Sequence, residues 1–138
     1  MKSSEFPALF EELKSVSHAA LADCPAPTPM IVGTPTTPLG NDVDMTKQVW
    51  YVADGVCGFA YVVLENGRTG FAQWLLKNGL GNKWWSGGRT KGVVVNTYPR
   101  FGFAEPGQSY EKSKFVAGKV AARLRDYGID AWVDARID

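Results

Sequence analysis

The sequence predicts an α+β protein: a ferredoxin-like (split βαβ) antiparallel sheet with two packed helices, plus an N-terminal helix and a proline-rich arm. From residue 56 onward the local patterns run strand, helix, strand, strand, helix, strand, which is the order of that plan. An amphipathic helical pattern and a cluster of prolines precede this region. The 138 residues suit one domain with one core. We therefore expect a helix within 1–23, an arm over 24–47 and a core domain over 48–138.

The first helix is predicted from apolar residues that recur every three or four positions between residues 4 and 22. These residues are Phe6, Leu9, Phe10, Leu13, Val16, Ala20 and Leu21. Five of the eight prolines then fall within 14 residues, between Pro25 and Pro38, which excludes a helix there. Three roles remain open for the helix: docking on the body, covering a partner or mediating dimerisation.

The first part of the core domain reads as a hairpin followed by a short helix. Segments 48–53 and 56–64 are rich in β-branched and aromatic residues and flank the turn dipeptide Asp54-Gly55. Thr69 is placed to cap a helix whose Phe71, Trp74 and Leu75 share one face. Asn78-Gly79 marks the end of that helix.

The second part reads as another hairpin, a long helix and a final strand. Segments 81–88 and 91–98 predict the hairpin, and Ser109 is placed to cap a helix that runs to Tyr127 and ends at Gly128. Its expected buried face consists of Ala117, Val120, Ala121 and Leu124. Residues 129–138 alternate strictly between apolar and mostly polar side chains, which predicts a strand with one buried and one wet face.

Charge is unevenly distributed although the net charge is only +1. Residues 1–64 carry three Lys or Arg and seven Asp or Glu, residues 65–125 carry eleven and three, and residues 126–138 carry one and four. The basic centre is compatible with a polyanion-binding surface, because the field of a patch acts over roughly 8 to 10 Å whatever the net charge. The alternative is self-neutralisation, with the acidic tail packed beside the basic helix.

Common catalytic and metal-binding patterns are missing from the sequence. The single histidine, His18, lies off the apolar stripe of the first helix, and Cys24 and Cys57 form no metal spacing or disulfide framework. We expect no catalytic residues, no cofactor and no metal, although evenly spaced Asp130, Asp134 and Asp138 leave a carboxylate-bound cation open.

The longest apolar run, residues 59–64, is far shorter than the roughly 18 residues of a membrane span. The N-terminal residues also lack the apolar centre of a signal peptide. We therefore expect a cytoplasmic protein that does not contact a membrane.

The candidate ligand site lies in residues 83–103, where aromatic and basic residues alternate. Aromatic rings stack on bases and Lys or Arg neutralise phosphates on many single-strand and nucleotide-binding surfaces. The turn at residues 86–91 adds backbone amides, hydroxyls and two cations suited to phosphate, and a flexible hairpin turn is the alternative. The predicted ligand-binding residues are Lys83, Trp84, Trp85, Arg89, Lys91, Tyr98 and Arg100.

Several segments resemble a family of small uncharacterised proteins common in bacteriophage and bacterial genomes. These segments read DGVCGFAYVV at 54–63, FAQWLLKNG at 71–79, QSYEKSK at 108–114, LRDYGIDA at 124–131 and RID at 136–138. The resemblance covers residues 48–138 and implies a phage context without an established activity or site. Residues 109–133 also resemble the helix-to-strand half of SPOR domains.

Three functions follow from these patterns. The leading hypothesis is a non-enzymatic binding protein, encoded by a phage, that holds nucleic acid or a nucleotide-like ligand. The alternative is a protein–protein inhibitor or adaptor of the anti-defence type, whose N-terminal helix and arm dock on a host enzyme. A hydrolase or transferase that uses Arg89, Lys91 and the terminal aspartates has the least support.

Overall fold

A computed structural model describes residues 1–86 and 89–138, with the backbone alone for residues 85, 86 and 89–91. The described residues form an α+β protein with three helices and two antiparallel sheets. The helices are α1 (Phe6–Asp23), α2 (Gly70–Lys77) and α3 (Tyr110–Asp126). The strands are β1 (Met30–Gly33), β2 (Val49–Val52), β3 (Gly58–Leu64), β4 (Gly81–Ser86), β5 (Arg89–Val95) and β6 (Ala131–Ile137).

The larger sheet has the strand order β4-β5-β3-β6, and every neighbouring pair is antiparallel. β3 pairs with β6 along its whole length, from Gly58–Ile137 to Leu64–Ala131. It pairs with β5 at only two positions, Val63–Val94 and Leu64–Val93. The predicted second hairpin is confirmed as β4–β5, with a register shift between Trp84 and Trp85. The sheet is therefore continuous on the β6 side of β3 and opens on the β5 side.

The helices pack against one side of this sheet and enclose the core. The core combines α1 with α2, α3 and the inward residues of the strands, which include Val62, Leu64, Val93 and Val95. The N-terminal helix is confirmed, and it docks on the body of its own chain. Leu13 is fully buried, and the rings of Phe10 and Phe103 meet edge to face at 5.3 Å between centroids. The other two roles considered for this helix would require its apolar face to be free.

The predicted first hairpin is wrong. β2 pairs with β1, a strand inside the proline-rich arm, and β3 joins the other sheet. A turn does form at Asp54-Gly55, where the Gly55 amide donates to the Val52 carbonyl (3.1 Å) and φ is 73°. The chain then bonds to the start of α3, since Tyr110 N donates to Val56 O (3.0 Å) and Gly58 N to Gln108 O (2.8 Å). These contacts direct β3 away from β2.

Two helix starts were predicted from capping residues. Ser109 is confirmed as a side-chain cap, because its Oγ accepts from Lys112 N (3.3 Å) and donates to the carbonyl of Asp54 (2.9 Å). Thr69 occupies the cap position of α2 without capping it, since its hydroxyl donates to the carbonyl of Asn66 (3.1 Å). A hydroxyl that is bonded to the preceding turn is not free to accept from the first helical amides.

The final strand is confirmed, but the expectation that its whole apolar face is buried is wrong. Ala131 is buried at one end, whereas Ile137 at the other end is 63% exposed. β6 is an edge strand, and Ile137 pairs with Gly58, which has no side chain to cover it.

The smaller sheet is a two-stranded ribbon, β1–β2, that exposes large apolar residues on both faces. Val32 pairs with Trp50 on one face and Ile31 pairs with Tyr51 on the other. All four are exposed, and Tyr51 is 70% exposed. None of them belongs to the buried core cluster of the described residues.

Candidate functional site: an aromatic sheet face

The side of the larger sheet opposite the helices carries a group of aromatic residues. Successive side chains of a strand point to opposite sides, and Ala60, Val62 and Leu64 of β3 belong to the core region. Phe59 and Tyr61 therefore point away from the helices, as do their register partners on β6. We call this surface the aromatic sheet face; it consists of Phe59, Tyr61, Val63, Trp84, Val94, Trp132, Asp134 and Arg136.

The rings on this face form two pairs. Phe59 and Tyr61 lie 5.3 Å apart, and Trp84 meets Trp132 edge to face at 5.7 Å. Phe59 is 38% and Trp132 36% exposed. Val63 lies on the same face and is buried, so neighbouring side chains cover the centre of the sheet. Solvent therefore reaches the rings of Phe59 and Trp132, which are separate stacking surfaces.

Polar contacts hold two of the side chains in place. The indole Nε1 of Trp132 donates to the carboxylate of Glu65 (2.8 Å), which fixes the plane of the ring. Arg136 forms an ion pair with Asp134 (3.2 Å), while 61% of the arginine side chain stays exposed. Of its described side chains, the face thus combines exposed rings with one accessible cation and two nearby carboxylates.

A cavity opens beside this face where β3 and β5 separate. Its volume is about 300 Å³. Its walls are the start of β3, the end of β5, the loop before α3 and one side of α3 itself; they include Phe59, Ala60, Tyr61, Thr97, Tyr98, Phe103, Glu105, Ser113 and Val116. Arg100 stands near the rim, with its guanidinium carbon 5.4 Å from the ring of Tyr98 and 4.9 Å from that of Phe101.

The structure distributes the described members of the predicted ligand site over three places. Trp84 lies on the aromatic sheet face. Lys83 points to the other side of the edge strand, since it pairs with the core residue Val93, and lines a small pocket with Arg68. Tyr98 and Arg100 lie near the cavity rim, beyond the end of β5.

The remaining predicted site residues stay predictions. Trp85, Arg89 and Lys91 have backbone positions in β4 and β5, with Trp85 opposite Thr90. Gly87 and Gly88 of the expected phosphate turn lie outside the described residues.

Sequence reasoning did not select Phe59, Tyr61 and Trp132 for the site. The usable signal was strand alternation: residues 59, 61 and 63 share one side of β3, as do 132, 134 and 136 of β6. Combining the two sets required the β3–β6 register, which neither segment specifies alone.

Part of the basic charge on α3 is neutralised by the N-terminal half of the chain. Lys112 pairs with Asp54 (3.0 Å) and Arg123 with Glu12 of α1 (2.8 Å). Arg125 donates instead to the carbonyl of Ala131 (2.8 Å). The self-neutralisation hypothesis placed the partners in the acidic tail, residues 126–138. Among the described side chains, one ion pair joins α3 to an acid of this tail, Arg123 with Asp126 at the end of the helix (3.8 Å), and none reaches an acidic residue of β6.

Among the described side chains, two groups have a shifted pKa, and both lie away from the aromatic sheet face. A hydrogen bond to the Glu12 carboxylate raises the pKa of Tyr127, and burial and the charge of Glu12 act in the same direction. Hydrogen bonds from the side chain and backbone of Thr46 lower the pKa of Asp44.

Comparison of the chain with protein-family models, curated proteins and solved structures finds no match. Over the described residues, no helix has the length and apolar character to cross a membrane. The same part of the chain contains no group of three or more His, Cys, Asp or Glu arranged to hold a metal ion.

Proposed function

We propose that this chain is a non-enzymatic binding protein that holds single-stranded nucleic acid on the aromatic sheet face. One observation carries the proposal: four aromatic side chains share the side of the sheet that the helices leave uncovered. An open sheet that presents rings to unpaired bases is an established mode of single-strand recognition.

The ferredoxin-like plan is part of this proposal. In its support, the chain order β3, α2, β4, β5, α3, β6 gives the spatial order β4-β5-β3-β6, so that β3 and β5 are central. Both connecting helices contribute to the core cluster on one side of the sheet. Such an arrangement leaves the opposite side available to a ligand.

Stacking on Phe59 and Trp132 supplies the main attraction. Trp132 pairs with Val63, four positions along β3 from Phe59, which corresponds to about 13 Å at the strand rise of ~3.3 Å per residue. The two rings therefore engage different bases of one extended strand. Each stacked base contributes about 1–3 kcal/mol by the effect of alanine substitution.

Phosphate contacts supply a smaller share. In the part of the chain whose side chains are described, Arg136 and Arg100 are exposed arginines beside the rings of the face and the cavity rim. Each neutralised phosphate of a single strand changes log K by about −0.7 per unit of log salt concentration. Two contacts predict a slope near −1.4, and any contribution from Arg89 and Lys91 would make it steeper.

The test is fluorescence anisotropy with labelled single-stranded DNA and RNA oligonucleotides at two salt concentrations. The variant Phe59→Ala/Trp132→Ala should bind at least tenfold more weakly, since two stacking surfaces are lost. The control Trp50→Ala/Tyr51→Ala makes the same kind of change on the ribbon and should keep wild-type affinity. Failure of the wild-type protein to bind either strand, or equal affinity of the folded face variant, overturns the proposal.

A second candidate function, a protein–protein inhibitor or adaptor acting on a host enzyme, is favoured by the exposed ribbon. Because α1 is buried against its own chain, the ribbon residues would make the contact. In this case the variant Trp50→Ala/Tyr51→Ala should no longer bind a host protein that the variant Phe59→Ala/Trp132→Ala still binds. If no host protein requires Trp50 and Tyr51 in order to bind this chain, the candidate function is wrong.

A further inference from the structure

The cavity beside the aromatic sheet face exists because the pairing of β3 with β5 stops early. The last pair is Val63–Val94, whereas β3 continues back to Gly58. The loop between β5 and α3 borders the resulting space, and Ser113 and Val116 of α3 form part of its floor. A volume of about 300 Å³ is at the lower end of the range of ~300–1,000 Å³ for small-molecule sites.

The main chain of Ala60 faces this cavity. Glu65 N donates to Asp130 O and Asp138 N donates to Cys57 O, so the odd-numbered residues of β3 direct their backbone groups toward β6. The even-numbered residues direct theirs to the other side, as Gly58 does when its amide donates to Gln108 O (2.8 Å). The amide and carbonyl of Ala60 therefore point to the side where the cavity lies.

These two groups are available to a ligand. The two-position pairing of β3 with β5 does not reach Ala60. No backbone bond to a loop and no side-chain bond involves Ala60 among the described residues. One donor and one acceptor side by side can bind the hydrogen-bonding edge of a planar base, as main-chain groups of a neighbouring strand would.

The other walls supply rings and further polar groups. Phe59, Tyr61 and Tyr98 line the cavity, and Glu105 lies at its edge with one carboxylate oxygen held by the amide of Gly107 (3.1 Å). A carboxylate accepts hydrogen bonds only, so it favours a base that carries N–H donors. Arg100 stacks near Tyr98 at the rim, where a phosphate attached to a bound base would leave the cavity.

We infer that the cavity takes one unstacked nucleobase, preferentially a purine, from the strand bound on the aromatic sheet face. The inference rests on the proposed function and adds a base-reading position to it. The amide and carbonyl of Ala60 bind the edge of the base, the aromatic rings contact its faces, and Arg100 contacts its phosphate. A purine is preferred because its larger ring system buries more area against these side chains.

The test titrates the four nucleoside monophosphates into ¹⁵N-labelled protein and follows the backbone amides by NMR. We expect AMP and GMP to shift the amide of Ala60 and to bind at least fivefold more tightly than CMP and UMP. Ser113→Leu, which fills the cavity floor, should weaken purine binding at least tenfold. Ala122→Leu, on the same helix outside the cavity lining, should leave it unchanged.

The outcomes separate this inference from the proposed function. If oligonucleotides bind through Phe59 and Trp132 but the Ala60 amide does not respond to any monophosphate, the cavity is not a base site and the face proposal stands. If neither oligonucleotides nor monophosphates bind, both fail. If Ser113→Leu does not fold, the test is instead the affinity of the wild-type protein for purine-only and for pyrimidine-only oligonucleotides. Equal affinities for the two overturn the inference.

Discussion

The backbone amide of Ala104 donates a hydrogen bond to the hydroxyl of Ser17, 3.0 Å away and 87 positions earlier in the chain. The same hydroxyl donates to the carbonyl of Lys14 (2.6 Å), and both Ser17 and Ala104 are buried. In the next residue of α1, His18, the ring Nε2 lies 2.8 Å from the carbonyl oxygen of Gly102. The N-terminal helix thereby positions the loop that forms one wall of the cavity.

Ser17→Ala should lower the free energy of unfolding by about 1–3 kcal/mol, because the Ala104 amide is left buried without an acceptor. Chemical denaturation measures the change. Ser15→Ala is the matched control on the same helix: Ser15 is exposed and its hydroxyl makes one long bond of 3.4 Å, so we expect a change within about 0.5 kcal/mol. Equal effects of the two variants would contradict this role of Ser17.

Leu13→Ala should destabilise the protein by about 2–5 kcal/mol, since Leu13 is fully buried in the core shared by α1 and the sheet. Leu39, which is 99% exposed, provides the control, and Leu39→Ala should change little. Thermal or urea unfolding followed by circular dichroism measures both. A near-neutral Leu13→Ala would mean that α1 does not dock on its own chain in solution.

Gly118→Ala should stabilise the protein by about 0.5–1 kcal/mol. Gly118 lies in the middle of α3, and a Cβ built there meets no atom within 4 Å. Gly128→Ala should have the opposite effect, because Gly128 ends the helix with φ at 77°. The midpoint of urea unfolding measures the stability of each variant. If both substitutions stabilise the protein, the explanation from the backbone conformations of Gly118 and Gly128 is wrong.

Tyr127 should make the free energy of unfolding depend on pH in the alkaline range. Its hydroxyl donates to Glu12, which raises the pKa of Tyr127 above the ordinary value of 10.0. The folded state therefore holds this proton more tightly than the unfolded state. The resulting stabilisation is fully present below pH 10 and is lost as the pH rises through the folded-state pKa.

Spectrophotometric titration of the tyrosines tests this relationship. Glu12→Gln removes the charged acceptor and should bring the pKa of Tyr127 back toward its ordinary value. Tyr127→Phe should remove the transition of this residue and make the free energy of unfolding less dependent on pH in the alkaline range. A titration curve that Glu12→Gln leaves unchanged would show that this hydrogen bond does not form.

Elements with a complete local signal could be predicted from the sequence. α1, α2 and α3 each combine an apolar period with residues that begin or end the helix, such as Ser109 and Gly128. The partner of β2 could not be predicted in this way. Asp54-Gly55 forms a turn in both the predicted and the observed structure. The hydrogen bonds of Val56 and Gly58 to the start of α3 direct β3 to the larger sheet, and these bonds cannot be inferred from the turn itself.

The candidate site was harder to predict because it combines residues that are distant in sequence. The rings of Trp84 and Trp132 meet across the sheet face although the two residues lie on opposite edge strands and 48 positions apart in the sequence. Composition pointed to residues 83–103, where rings and cations are neighbours along the chain. Alternation within the strands places Lys83 and Trp84 on opposite sides of the sheet.

The buried face of α1 also has a consequence for biosynthesis. Its partners Phe103 and Leu124 are encoded roughly 90 to 110 codons after Phe10 and Leu13. At a synthesis rate of about 5–20 residues per second, the helix precedes these partners by roughly 5 to 20 s. Phe71 and Trp74 of α2, which contact Phe6 and Phe10, are made earlier, but the part of the stripe that packs on Phe103 and α3 lacks its partners during that interval. The nascent chain therefore presents an incompletely covered hydrophobic helix to the chaperones around the ribosome until α3 emerges.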